Sequence, residues 1–370
     1  MKPNIIQFLS NVALSASLLF IPNLAQDLGA NDAQIGMIVA VYAFFMFLSS
    51  YIFGRSCDVY GRRLFISLGL ALSTITFSLQ IFTDPYFFAA PLLADPWLLA
   101  LVRGLVGFTL GIFPAALTTY VYDSAKPLGE FSSFGALGWA VGTFAAGLIA
   151  FYYGVFIMSS LCLFLAFLVS LTMKKVEGTC LRIPFFPKDL LKKNWRVYLP
   201  YLLRHTGANT IWVIYPLYIA SLGGNKFWIG VIYTINTATQ FLVMRFLDRF
   251  NSEKLLETGL LLAVATFFSF TLAQNFTHLF PMQVILACSW SCMYVGSLLY
   301  LMKNNVEKAT SSGILSSVIY ISQVFGALLG GTIALLFGDF RATMYVATLL
   351  TVVGFIFFQI GNRKTTIIKP

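Results

Sequence analysis

Residues Leu279–Leu301 run LFPMQVILACSWSCMYVGSLLYL without one charged side chain. A helix needs about 20 apolar residues to cross roughly 30 Å of hydrocarbon. Eleven further stretches meet that length: Ile5–Leu24, Ile35–Phe53, Leu64–Phe82, Trp97–Tyr120, Phe131–Phe151, Gly154–Met173, Val197–Ala220, Ile229–Leu247, Leu255–Ala273, Gly313–Phe337 and Thr343–Ile360. Backbone amides in lipid have to bond within the chain, which leaves helices or closed barrels. Barrel strands are about ten residues long and alternate in polarity, and these runs do neither. The expectation is an all-α membrane protein of twelve transmembrane helices. A soluble fold is excluded by the same count: 58% of residues are hydrophobic and only 10% charged, against about 25% charged in soluble domains.

The charges that remain are distributed by side. With both termini placed in the cytoplasm, only Lys226 and Arg341 fall in outer segments, and Arg103 and Arg204 fall inside spans. Every other Lys and Arg then lies on the inner side, as the positive-inside rule requires. The net charge of +10 therefore reflects topology, and nucleic acid is not expected as a partner. The partners expected are the bilayer of the cytoplasmic membrane and a small-molecule substrate. A coupling proton or ion is left open, and a monomer is expected. The apolar N-terminal stretch lacks a small-residue cleavage pattern and reads as a retained first helix. Cys57, Cys162, Cys180, Cys288 and Cys292 have neither metal-site nor disulfide spacing. No metal, cofactor or catalytic constellation is expected, so the chain is read as no enzyme.

The chain also repeats itself. IPNLAQDLGANDAQIGMIV matches YPLYIASLGGNKFWIGVIY, aligning Pro22 with Pro216, Gly29 with Gly223 and Gly36 with Gly230. Further along, Arg55, Asp58 and Gly69 match Arg245, Asp248 and Gly259, and Gly142, Gly147 and Gly154 match Gly326, Gly331 and Gly338. This predicts two six-helix bundles, 1–173 and 195–370, related by a pseudo-two-fold axis. A basic, proline-broken cytoplasmic linker, 174–194, joins them. Parallel halves with a site between them are a transporter plan.

GRSCDVYGRR, residues 54–63, falls between the second and third spans. With Gly54, Asp58, Gly61, Arg62 and Arg63 in place, it resembles the inner-loop motif of the major facilitator superfamily, and the likeness extends over essentially the whole chain. Arg103, Gly107 and Pro114 are similar to the family's fourth-span pattern. The fifth span lacks the Gly-Pro pair of the antiporters, because Thr143 follows Gly142. In the second copy of the loop, MRFLDRFNSEK, Asp248 is kept and the glycines are lost. The resemblance implies alternating access. It also implies a gating latch in which Asp58 faces the N-terminal end of the eleventh span near Gly313, with Arg62 and Arg63 paired to Asp123 or Glu130.

Polar residues inside spans usually face the interior. The candidate substrate-binding residues are Asn11, Arg103, Arg204, His205, Asn209, Trp212, Tyr215, Asn236, Gln240, Trp290 and Tyr294. By the family resemblance, spans 1, 4, 7 and 10 line the cavity. No carboxylate lies mid-span, which argues against proton coupling through a buried acid. The abundant aromatic residues favour efflux of amphipathic compounds. Arg204 favours an organic anion or metabolite instead, and a non-transporting receptor on the same fold is the remaining alternative.

Overall fold

The computed structural model describes residues 1–85, 87, 95–174 and 181–368. Among them no strand occurs, and fifteen α-helices account for all twelve expected spans. Eight of the spans are single helices: α3 (Asp32–Tyr60), α4 (Arg62–Leu79), α7 (Leu128–Ile149), α8 (Tyr152–Leu171), α11 (Lys226–Met244), α12 (Ser252–Phe270), α13 (Leu279–Asn304) and α14 (Lys308–Phe337). So is the last, α15 (Phe340–Ile368). Three spans expected to be continuous are each broken in two. The first is α1 (Lys2–Leu19) with α2 (Ile21–Asp27), the fourth α5 (Pro96–Leu110) with α6 (Pro114–Asp123), and the seventh α9 (Lys188–Trp212) with α10 (Tyr215–Ser221). Each break precedes a proline: Pro22, Pro114 and Pro216 all sit in the first turn of the second piece. A proline there gives up only an amide that the helix leaves unbonded anyway.

Among the described residues, ten segments are long and apolar enough to cross a bilayer. The two that fall short do so because of polar side chains within them. Helix α9 carries Arg196, Arg204, His205 and Asn209, and α12 carries Glu253, Lys254 and Glu257.

Packing divides the chain into two compact units, Met1–Ile183 with Asn305–Tyr320, and Pro184–Asn304 with Ile321–Pro370. Helix α14 thus contributes its first turns to one unit and the remainder to the other. Four helix pairings recur in the two units. In the first, α1 packs on α8, α3 on α5, and α4 on α5 and α8. In the second, α9 packs on α15, α11 on α13, and α12 on α13 and α15. The sequence repeat is therefore also a packing repeat.

Local chemistry repeats with it. Helix α2 is followed by Gly29 at φ 83°, and α10 by Gly223 at φ 87°, a left-handed conformation that side-chain-bearing residues avoid. Two residues on, Asn31 caps α3 by accepting from Gln34 N at 2.9 Å, and Asn225 caps α11 by accepting from Trp228 N at 3.1 Å. The Gly142 and Gly326 pair shows why small residues recur. A Cβ on Gly142 of α7 would run into Ser15 Oγ and the Val12 carbonyl of α1. One on Gly326 of α14 would run into Asn209 Cβ and the Thr206 carbonyl of α9. Without a hydrophobic force between helices in lipid, close backbone approach at small residues supplies the contact.

Gly147 and Gly331, which the repeat also pairs, face open space. Gly142→Val and Gly326→Val should therefore each destabilise the protein by about 1–3 kcal/mol through overpacking. Gly147→Val and Gly331→Val should leave the thermal midpoint of detergent-purified protein unchanged. Equal shifts at all four positions would contradict this packing.

Candidate functional site

Helix α3 ends at Gly61, whose φ of 98° turns the chain directly into α4. One turn before it, Asp58 is 4% exposed. Its carboxylate accepts from Ala309 N at 3.2 Å, from Thr310 N at 2.8 Å and from Thr310 Oγ1 at 2.8 Å. These are the free amides of the first turn of α14, where the helix dipole is positive. The approach depends on Gly54 and Gly313. A Cβ on Gly54 would lie 2.8 Å from Gly313 Cα, and one on Gly313 would lie 2.7 Å from Gly54 Cα.

Lys308, the first residue of α14, places a cation where the dipole disfavours it. Asp123 compensates, accepting from Lys308 Nζ at 2.7 Å and pairing with Arg62. Arg62 in turn lies 3.9 Å from Asp58 Oδ1. Asp58, Arg62, Asp123 and Lys308 thus alternate in sign around the start of α14. Arg63 departs from the expected carboxylate pairing. It donates to the Leu171 carbonyl at 2.9 Å, at the negative end of α8, and Glu130 accepts from Asn4 Nδ2 at 3.0 Å instead.

The segment after residue 180 is strapped to the same loop. Leu181 N donates to the Asp58 carbonyl at 2.9 Å. Arg55 donates to the Ile183 carbonyl through Nε at 2.9 Å and Nη2 at 2.6 Å. Within the expected linker, residues 175–180 lie outside the described residues, including Lys175 and Cys180. Among the described cysteines, Cys57, Cys162, Cys288 and Cys292 are free.

Two of the candidate substrate residues fall in the first unit, apart from each other. Asn11 donates to the Gln7 carbonyl at 2.7 Å and packs over Gly138. Arg103, 1% exposed, donates to Gln80 Oε1 at 3.0 Å and Ser17 Oγ at 3.2 Å, with its guanidinium 4.3 Å from the Tyr42 ring centre. This neutral cage includes no carboxylate.

The second unit gathers the others into two clusters. In one, a chain of amides links three helices. Gln240 donates to Asn236 at 2.6 Å, Asn236 to Gln283 Oε1 at 2.8 Å, and Gln283 to the Tyr215 hydroxyl at 2.6 Å. Trp212 and Tyr233 flank Tyr215, with ring centres 5.4 Å and 6.0 Å away. In the other, Arg204 and His205 of α9 meet Trp290 and Tyr294 of α13. The His205 and Trp290 ring centres are 5.0 Å apart, and Trp290 stacks on Tyr294 at 5.6 Å. Asn209 joins neither, donating back to the His205 carbonyl at 2.7 Å.

Several participants were not among the expected residues: Thr310 and Lys308 at the latch, Gln80 around Arg103, and Gln283 and Tyr201 in the second unit. Gln283 carried a signal, being the only amide in the charge-free run 279–301. Thr310 carried none, since its part depends on which helix end meets Asp58.

The family model described as the Major Facilitator Superfamily matches residues 4–309 and 197–366. The chain belongs to the major facilitator superfamily, and it is a multi-pass membrane transporter rather than an enzyme. Among curated relatives, "Multidrug resistance protein MdtG" of Salmonella heidelberg (strain SL476) is 25% identical, over 92% of this chain and 89% of that protein. The protein of the same name from Salmonella typhi is 25% identical over the same shares. Among solved structures, that of "the human organic anion transporter MFSD10 (TETRAN)" superposes with a TM-score of 0.80 at 14% identity. It covers 97% of this chain and 98% of that one.

The strap can be tested separately. Arg55→Ala removes two charge-assisted bonds, each worth about 1.5–3 kcal/mol. Trypsin should then cut after Arg182 at least about tenfold faster than in the wild type, from a loss of only ~1.5 kcal/mol. Peptide mass spectrometry of timed digests reads this, and an unchanged rate would mean that the contact does not hold the segment.

Proposed function

We propose that the protein is a secondary transporter that exports small amphipathic molecules across the cytoplasmic membrane by alternating access. The observation that carries this reading is the Asp58 carboxylate seated on the first-turn amides of α14. A buried anion held by three donors is either fully engaged or lost, so the contact biases a two-state equilibrium. Gly54, Gly61, Arg62 and Arg63 are the remaining gating residues. The six-helix halves 1–173 and 195–370 are the bodies that rock, with the 174–194 linker between them.

Export is supported by the relatives, which are named as multidrug resistance proteins and match over 92% of this chain. The split of Lys and Arg residues supports cytoplasmic termini. Among the described residues, Arg103 is caged by neutral groups, which favours coupling that does not run through an acid beside it. A second reading, carriage of an organic anion, is favoured by one observation: Arg204 is buried with no carboxylate partner among the described residues.

In proteoliposomes, the wild-type protein should move amphipathic fluorescent dyes down an imposed ion gradient. Asp58→Asn keeps the shape and removes the charge, so the rate should fall about tenfold, the equivalent of ~1.4 kcal/mol of latch energy, with dye affinity retained. Wild-type rates in Asp58→Asn would remove the latch. No transport of any dye by the wild type would remove the export reading.

A further inference from the structure

Helix α9 holds two buried arginines in unlike surroundings. Arg196 is fully engaged: it donates to Glu253 Oε1 at 2.8 Å, to Asn362 Oδ1 at 3.2 Å and to the Tyr300 hydroxyl at 2.9 Å. Two turns further on, Arg204 is 2% exposed, and its one hydrogen bond is a long one, 3.4 Å to Ser289 Oγ. Its Nε has no partner among the described residues. The rings of Phe267 and Trp290, 5.3 Å and 5.6 Å from the guanidinium carbon, offer only π faces.

The deficit extends to its neighbours. Tyr201 lies one turn before Arg204 and is fully buried, and His205 is 7% exposed. Among the described residues, Tyr201 Oη and His205 Nδ1 also lack hydrogen-bond partners. Within five residues of one helix, a guanidinium edge, a phenol and an imidazole are all left unmatched. A buried cation with no counter-charge is costly in hydrocarbon. What the cluster lacks is an acceptor carrying negative charge. A neutral molecule satisfies hydrogen bonds and leaves the charge uncompensated, and a cation is repelled.

Beside this cluster is an aromatic floor. Trp290 and Tyr294 are stacked at an interplanar angle of 10°, and both are only half-buried. A planar ring fits such a surface by offset stacking. One guanidinium balances one negative charge, so a monoanion matches the site and a dianion exceeds it.

We infer that Tyr201, Arg204 and His205 form the binding site for the monoanionic head of an aromatic substrate whose ring lies against Trp290. This rests on the transporter reading and specifies the substrate class that one cluster takes.

The test is titration calorimetry of the purified full-length protein with 2-naphthoate and with its neutral isostere 2-naphthamide. The carboxylate should bind at least tenfold more tightly than the amide. Arg204→Gln, checked for monodispersity and thermal midpoint, should abolish that preference. Tyr201→Phe should reduce it several-fold, and Trp290→Leu should weaken both probes alike. Equal binding of the two probes by the wild type overturns the inference without recourse to any variant. So does a preference that survives in Arg204→Gln, or the absence of heat from either probe at millimolar concentration. Dye transport by the same preparations separates the two readings. No carboxylate preference in the wild type, with intact dye transport, overturns only the anion site. Intact preference without transport of dye or naphthoate overturns only the transporter reading.

Discussion

A peptide group in hydrocarbon has no water to bond, and every feature of this chain answers to that constraint. It imposes helices on the apolar runs, and it makes each helix interruption a matter of finding partners for freed amides and carbonyls. The breaks at Phe20, at Gly111–Phe113 and at Val213–Ile214 are placed before prolines, where an amide is already missing. The turns after α2 and α10 close with a left-handed glycine and an asparagine cap in the same order. The same solution appears in both repeats because both face the same deficit.

Helix ends are the one place where the backbone retains unpaired groups, and there it meets side-chain charge. Asp58 uses the free amides of α14, and Arg63 uses the last carbonyls of α8. Ion pairing is secondary to this. Asp123 is drawn in because Lys308 would otherwise oppose the dipole of the helix it begins. The loop motif works as a set of complements to helix termini, which explains why Arg63 is satisfied without a carboxylate.

Inside the units, buried arginines separate by the partners they have. Arg196 meets Glu253, Arg103 meets an amide and a hydroxyl beside the Tyr42 ring, and Arg204 meets one distant hydroxyl. The first two arrangements hold helices together. Neither Arg103 nor Arg204 meets a carboxylate among the described residues, but Arg204 keeps a single long hydrogen bond, beside the partly buried rings of Trp290 and Tyr294.

Periodicity, charge asymmetry and the internal repeat determined much from the sequence alone: twelve helical segments, their order, the family loop and the residue at its centre, Asp58. These are local properties, since apolar length and helix propensity act within one segment. Tertiary structure decided the pairings. Arg63 turned to Leu171, Asp123 was shared by Arg62 and Lys308, Gln283 joined Tyr215 to Asn236, and Asn209 was left outside both clusters. The reason is physical. A polar side chain in an apolar span must find a partner, but which partner depends on how neighbouring helices are rotated and how closely glycines let them approach. Neither quantity is written in any one segment of the chain.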